Sequence, residues 1–383
     1  MSRDNALSWD LDSPDNEIAS NSRRDSTSPH YKGAPLSPSA SDGDHSKERH
    51  RRRSARALVG LDEFAPPKRH YSGAEKLLWS RIRQTLQEPF AEFLGVMVLS
   101  CFYNGSIAQS LLSAGLQTAP GGSGYGTFMS VPWGTGIGVM LGIYISGDSG
   151  AYLNPAITLT ACVFRGLPWK SFPSIVLAQF LGAFVATALV YGNYISAIDW
   201  YAGPGNRIVP PETKATAQIM ATYPQTFVPR SSQVFSVIIP SALITTVVSA
   251  LKDDYNNGIS RAGGNFFPLA MFFLFYGIGV AFGWETGGAT NPALDFSGRL
   301  FSSAVGYPRE VWTTGGYYFW IPLLMPFVGA IAGSFLYDTL VFTGPSPINS
   351  PWLGLKRFID RSIQNENSRE RVEARRDKTT DQV

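Results

Sequence analysis

The feature that most restricts this chain is a repeated triplet. Asn-Pro-Ala occurs at Asn154, Pro155 and Ala156 and again at Asn291, Pro292 and Ala293. Each copy follows a glycine-bearing lead-in, "SGAYL" or "TGGAT", and opens a short half-apolar run, "AITLTACVFRG" or "ALDFSGRLF". Asn is a preferred helix N-cap and Pro suits the first helical position, so each triplet predicts a helix start. A helix crossing a bilayer needs about 20 apolar residues. Each run supplies about half of that, so two half-length helices are expected.

The rest of the chain supplies full-length ones. Six apolar stretches of roughly spanning length run at about 89–112, 127–147, 172–194, 233–251, 264–283 and 317–342. Charged residues are 16% of the chain, against about 25% in a typical soluble domain. The mean hydropathy of −0.02 averages an apolar middle with polar ends. The expected fold is an all-α membrane protein with six transmembrane helices plus two re-entrant half-helices. A disordered tail over 1–75, a membrane domain over 76–345 and a second tail over 346–383 complete the expected organisation. The second tail, with Leu353, Leu355, Phe358, Ile359 and Ile363, suits a short surface helix.

Charge placement orients the chain. The loop from Tyr103 to Phe128 contains no Lys or Arg, whereas the tails carry "KERHRRRSAR" and "LKRFIDRSIQNENSRERVEARR". The positive-inside rule puts both tails in the cytoplasm, as an even number of spans requires. The basic runs suit anionic lipid, or no partner at all, rather than nucleic acid. No small-residue cleavage site follows the first stretch, so no signal peptide is read. The Asn104-Gly-Ser sequon sits too close to the first span to be read as a glycosylation site.

"AQFLGA" (178–183) and "MPFVGA" (325–330) follow the two triplets in turn, so the chain repeats itself. Three spans per half make the repeat an inverted one. The two half-helices then enter from opposite sides and meet end to end near the midplane. Irregular backbone at that depth must be buried or line a wet cavity. The lead-ins are expected to be extended, with their carbonyls toward that cavity. Two positive helix ends would oppose any cation there, protons included. The amides of Asn154 and Asn291 would donate to a passing solute.

At these residues the chain resembles the major intrinsic protein family, the aquaporins and aquaglyceroporins, over roughly 88–345. "AEFLG" (91–95) and "GGYYFWIPLL" (315–324) are similar to that family's first-span and sixth-span motifs. The resemblance implies a right-handed six-helix bundle, one pore per subunit, a homotetramer and no cofactor. The tails look like those of fungal members, which implies the plasma membrane. Asp295, the Pro322-Leu323 pair and the insertion "VGYPREVWTTGG" resemble the glycerol-conducting branch.

Three positions depart from the family pattern. Leu294 stands where an Arg is usual, and Arg299 lies five residues further on. Tyr152 replaces the usual His before the first triplet, and Val237 replaces a fourth-span acid. Glu92, the first-span acid, is present and is expected to accept backbone N–H bonds from a pore loop. Aligning onward, the filter comprises Trp133, Gly279, Gly288 and Leu294, and the spacing from "GVMLG" equally admits Thr135 in place of Trp133. Such a constriction is wide and apolar. Water shedding hydrogen bonds there loses roughly 1–3 kcal/mol per unsatisfied group, which a carbon skeleton offsets in part by apolar contact. The expected function is therefore a passive, proton-excluding channel for glycerol-like uncharged solutes, with water as a further candidate. The phenylalanines of the fifth stretch, such as Phe267 and Phe275, are read as packing and lipid-facing residues.

Rival readings remain at this stage. A coupled carrier would need an ionisable group at mid-membrane, and most acids fall in loops or at span ends. A scaffold that has lost conduction fits the missing Arg, His and acid. An enzyme fits poorly. His30, His45, His50 and His70 all fall in the N-terminal tail, and the core holds no nucleophile–base pair or metal spacing. Cys101 and Cys162 are read as two structural thiols rather than a disulfide.

Overall fold

The computed structural model describes residues 77–114, 116, 124–253, 256 and 266–350. The tail expected over 1–75 and the surface helix expected after Pro351 lie outside the described residues. Among the described residues the chain is helical, without strands.

A short helix, α1 (Leu78–Thr85), breaks at Leu86 and leads into α2 (Gln87–Leu112). Next come α3 (Ser130–Ser146), the half-helix α4 (Pro155–Phe164) and α5 (Phe172–Ala202). A long loop with a 3-10 turn at Ala217–Ile219 then leads to α6 (Arg230–Leu251) and α7 (Phe267–Phe282). The second half-helix α8 (Pro292–Ala304), the kinked α9 (Glu310–Tyr317) and α10 (Trp320–Leu340) complete the order. Four of these helices, α2, α5, α6 and α10, are long and apolar enough to cross a membrane. With 17 and 16 residues, α3 and α7 are shorter, and at 1.5 Å per residue each reaches about 25 Å.

The packing is that of an inverted repeat. α2 packs on α3 and α5, and α6 packs on α7 and α10. α4 packs on α5 and α10, α8 packs on α10 and α5, and the pairs α3–α7 and α4–α8 also meet. Exchanging α2, α3, α4 and α5 for α6, α7, α8 and α10 leaves this set unchanged, as twofold-related halves require. Two close crossings obey the same symmetry. A Cβ on Gly182 would stand 2.3 Å from Phe93 O, and one on Gly329 would stand 2.4 Å from Ile238 O. Only glycine lets those backbones approach, which is the usual device for packing helices in lipid. The outer surface is apolar: Leu177, Leu181 and Leu189 on α5 and Leu324, Val328 and Phe335 on α10 are exposed.

Hydrogen-bonded ties define the two faces of the bundle. Arg165, just past α4, forms a two-pronged ion pair with Asp338 of α10 at 2.7 and 2.6 Å, and Tyr337 donates to Asp253 just past α6. These ties, and Gln87 to Asp148, mark the face where α2 begins, called here the near face. On the far face Gln225 N donates to Glu285 O just past α7, and Thr216 bonds Tyr307. Asn104 of the sequon lies inside α2, buried, and donates to Thr187 of α5 at 3.2 Å.

Candidate functional site

The two half-helices start as the triplets dictate. Asn154 caps α4 by accepting from Ala156 N at 2.9 Å, and Asn291 caps α8 by accepting from Ala293 N at 3.1 Å. Both Asn backbones are extended and Pro155 and Pro292 hold the first helical positions. The amides then reach across. Asn154 Nδ2 donates to Thr290 O and Asn291 Nδ2 donates to Leu153 O, both at 2.9 Å. Each asparagine thus ties the lead-in of the other half-helix, and the positive ends of two helices meet at one place. Each amide retains a second N–H, and both side chains border a cavity of about 50 Å³.

The lead-ins are not simply extended. Gly150, Ala151 and Leu153 take positive φ of 111°, 52° and 55°, as do Gly287 and Gly288 at 71° and 70°. For a residue with a Cβ this conformation costs about 1–2 kcal/mol. Glu92 holds the first lead-in in that shape. Fully buried, it accepts from Tyr152 N, Leu153 N and Gln179 Nε2, each at 2.8 Å, and from Ser149 Oγ at 2.5 Å. Four donors replace water around the carboxylate, and charge-assisted bonds are the strong ones.

Among the described residues the second lead-in has no such carboxylate. Val237 is completely buried in an apolar cluster with Ala289, Tyr318 and Ile321. Tyrosines substitute: Tyr103 Oη donates to Gly287 O at 3.1 Å and Tyr318 Oη to Thr286 O at 3.5 Å. These hydroxyls bind carbonyls where Glu92 binds amides, so the halves are braced by opposite chemistry. Sequence reasoning identified the missing acid but not the tyrosines, because nothing in their spacing distinguishes them from packing aromatics.

Leu294, Gly288 and Asp295 border the cavity, together with Tyr103, Thr135 and Phe275. Trp133 and Gly279 do not. On α3 the cavity face is Thr135, Val139 and Ile143, at intervals of four. Trp133, two residues earlier, turns to the other side and packs on Phe272 and Tyr276 at 5.3 and 4.9 Å between ring centroids. Gly279 sits in the α3–α7 seam, where an added Cβ would meet Pro132 at 3.1 Å. Phe275, expected as a packing residue, takes the wall position with Met271 one turn away. Pro322 is buried within α10 and Leu323 is half-buried, and neither borders the cavity.

Arg299 does not fill the place left by Leu294. It is 1% exposed and lies behind the wall, with Nε 2.7 Å from Asp295 Oδ1. Its guanidinium also donates to Val311 O and Thr222 O. Asp295 in turn accepts from Thr222 N at 2.7 Å and Thr222 Oγ1 at 2.5 Å. The pair therefore fastens the long far-face loop, whose Met220, Ala221 and Thr222 border the cavity. Tyr152 is buried and borders both this cavity and a second one nearer the near face. Among the described residues no group of three His, Cys, Asp or Glu could hold a metal ion.

Comparison with known proteins gives this arrangement a context. The family profile described as Major intrinsic protein matches residues 79–337. The chain is 46% identical over 300 residues to Aquaglyceroporin-9 of Botryotinia fuckeliana, covering 78% of this chain and 63% of that protein's length. It is 50% identical over 286 residues to Probable aquaglyceroporin-2 of Gibberella zeae, covering 74% of this chain and 81% of that protein. Among solved structures, that of the aquaglyceroporin from Plasmodium falciparum is similar with a TM-score of 0.56 and 27% identity, covering 67% of this chain and 96% of that one. An all-helical bundle with two opposed half-helices, matched by the family profile over residues 79–337, makes this chain an integral membrane protein of the major intrinsic protein family.

Proposed function

We propose that this protein is a passive channel for small uncharged solutes of the glycerol type, with water as a second permeant. The reading is carried by one observation, the crosswise bonding of Asn154 and Asn291 at the wall of the cavity. It keeps one amide N–H of each asparagine free to bind a hydroxyl while two helix ends repel cations. Leu294, Gly288 and Phe275 offer apolar contact to a carbon backbone, and Asp295 is already engaged with Thr222 and Arg299. A cavity of about 50 Å³ accepts roughly three to five waters at 10–15 Å³ each, or one small polyol in their place.

The resemblance to aquaglyceroporins supports the solute class. It also supports assembly as a homotetramer in the plasma membrane, with the near face toward the cytoplasm and one pore in each subunit. The test is stopped-flow light scattering of vesicles containing the purified protein under glycerol, water and larger-polyol gradients. The proposal predicts glycerol entry well above that of protein-free vesicles. Folded, inserted protein that passes no solute would favour a non-conducting membrane scaffold instead.

A further inference from the structure

Lys252 caps α6 on the near face. Its Nζ donates to Gly150 O at 3.3 Å and stands 5.4 Å from the ring centre of Tyr152 and 5.2 Å from that of Phe267. One ammonium thus touches the end of α6, the lead-in to α4 and the start of α7. Tyr152 is common to the main cavity and to the second one, of about 30 Å³, whose wall contains Lys252, Thr160, Arg165 and Ser249. On the channel reading above, a solute moving from Asn154 toward the near face would pass Tyr152 and then this ammonium.

The charge at both cavities can be accounted for residue by residue. Asp295 is matched by Arg299 at 2.7 Å. Arg165 is matched by Asp338 at 2.6 Å. Leu294 contributes no charge. Among the described residues, Lys252 is the charged cavity-bordering group without a carboxylate at ion-pair distance.

We propose that Lys252 is the charge-selecting residue of this pore: its ammonium at the near-face mouth, rather than a guanidinium beside the second triplet, supplies the fixed positive charge that turns cations away. This rests on the channel reading above. The positive helix ends at the asparagines act deeper in the pore and add to the barrier. A full unit charge on a half-buried ring-flanked site outweighs either of them. The rings of Tyr152 and Phe267 hold the ammonium in place by cation–π attraction, so the charge stays on the path instead of folding back into water.

Such a charge can be titrated. Burial pulls the Lys252 ammonium down to about 8, against an opposing effect of the Glu92 carboxylate from α2 and a reinforcing one of Arg165 past α4. The other charged groups around it are engaged: Asp253 accepts from Tyr337 of α10, Asp338 holds Arg165, and Asp148 accepts from Gln87. The start of α7 presents Phe267. Lys252 is therefore cationic below that pH and neutral above it, so cation exclusion is strong at neutral pH and weakens as the pH rises through about 8.

The experiment measures potassium and glycerol permeability of vesicles containing the full chain from pH 6.5 to 9.5, for the native protein, Lys252→Met and Lys252→Arg. Native potassium permeability should climb about tenfold or more across that range, as expected when a unit charge leaves a narrow low-dielectric path. Lys252→Met should be as leaky at pH 6.5 as the native protein is at 9.5, and Lys252→Arg should stay tight throughout. Glycerol flux in the same vesicles reports the pore itself, so its absence would strike the channel reading. Normal glycerol flux with a flat native potassium profile, or a Lys252→Met protein as tight as the native one, would overturn the role of Lys252. Should Lys252→Met fail to insert, the native profile set against that of Lys252→Arg decides the matter.

Discussion

Asn154 and Asn291 each donate to the carbonyl that precedes the other, Thr290 O and Leu153 O, at 2.9 Å. The cap of one half-helix is thereby the brace of the other, and neither half can shift without loosening both. Replacing either asparagine by Ala removes a cap and a cross-tie together. Losing the cap alone costs about 0.5–2 kcal/mol, and each variant should unfold measurably earlier in a thermal scan in detergent. A scan unchanged from the native protein would mean that the tie contributes nothing.

Glu92→Gln tests the first lead-in. The amide nitrogen of Gln would point at donors already committed to the carboxylate, from among Ser149, Tyr152, Leu153 and Gln179. An unsatisfied buried donor costs about 1–3 kcal/mol, and the strained Ala151 and Leu153 would relax. The variant should lose stability and most solute flux together, read by thermal unfolding and vesicle assay. Glu92→Ala should fare no better, whereas native behaviour in either would remove the carboxylate from its proposed role.

Thr135 and Trp133 separate the wall of the cavity from its outside. Thr135→Trp should cut glycerol flux about tenfold or more, because an added indole exceeds the free space of the lumen. Trp133→Ala should leave the ratio of glycerol to water flux as it is, since the ring packs on Phe272 and Tyr276. A change of that ratio in Trp133→Ala alone would restore Trp133 to the filter.

Gly298→Ala probes the far-face loop. A Cβ there would stand 1.6 Å from Met220 O, so the loop must move. Overpacking of this kind costs about 1–3 kcal/mol, and the movement would carry Met220 and Thr222 away from the cavity wall. Lower thermal stability with altered solute preference is expected, and a fully native variant would show that the loop is not fixed at this contact.

The half-helices were legible because their signals are local: an N-cap, a proline and a run too short to cross. The inverted packing was legible by counting spans, and Gly182 and Gly329 stand at matching crossings as their repeated contexts imply. The filter was harder. Trp133 and Thr135 differ by two residues, and only the rotation of α3 against α7 decides which one faces inward. Phe275 sits in a run of phenylalanines with no period to mark an inner face. Lys252 stayed hidden because a lysine at a helix end ordinarily points to water, and its contact with Gly150 crosses 102 positions of sequence. The short helix α1 left no trace because its apolar residues fall among polar ones.

The most direct test of the conduit is chemical. In a chain with Cys101 and Cys162 replaced by Ala, Leu294→Cys puts a single thiol on the cavity wall. Glycerol flux is then measured before and after reaction with a bulky thiol reagent, with the extent of labelling followed by mass. A solute path beside Asn154 and Asn291 predicts that flux collapses in proportion to labelling. Complete labelling with undiminished flux would contradict it.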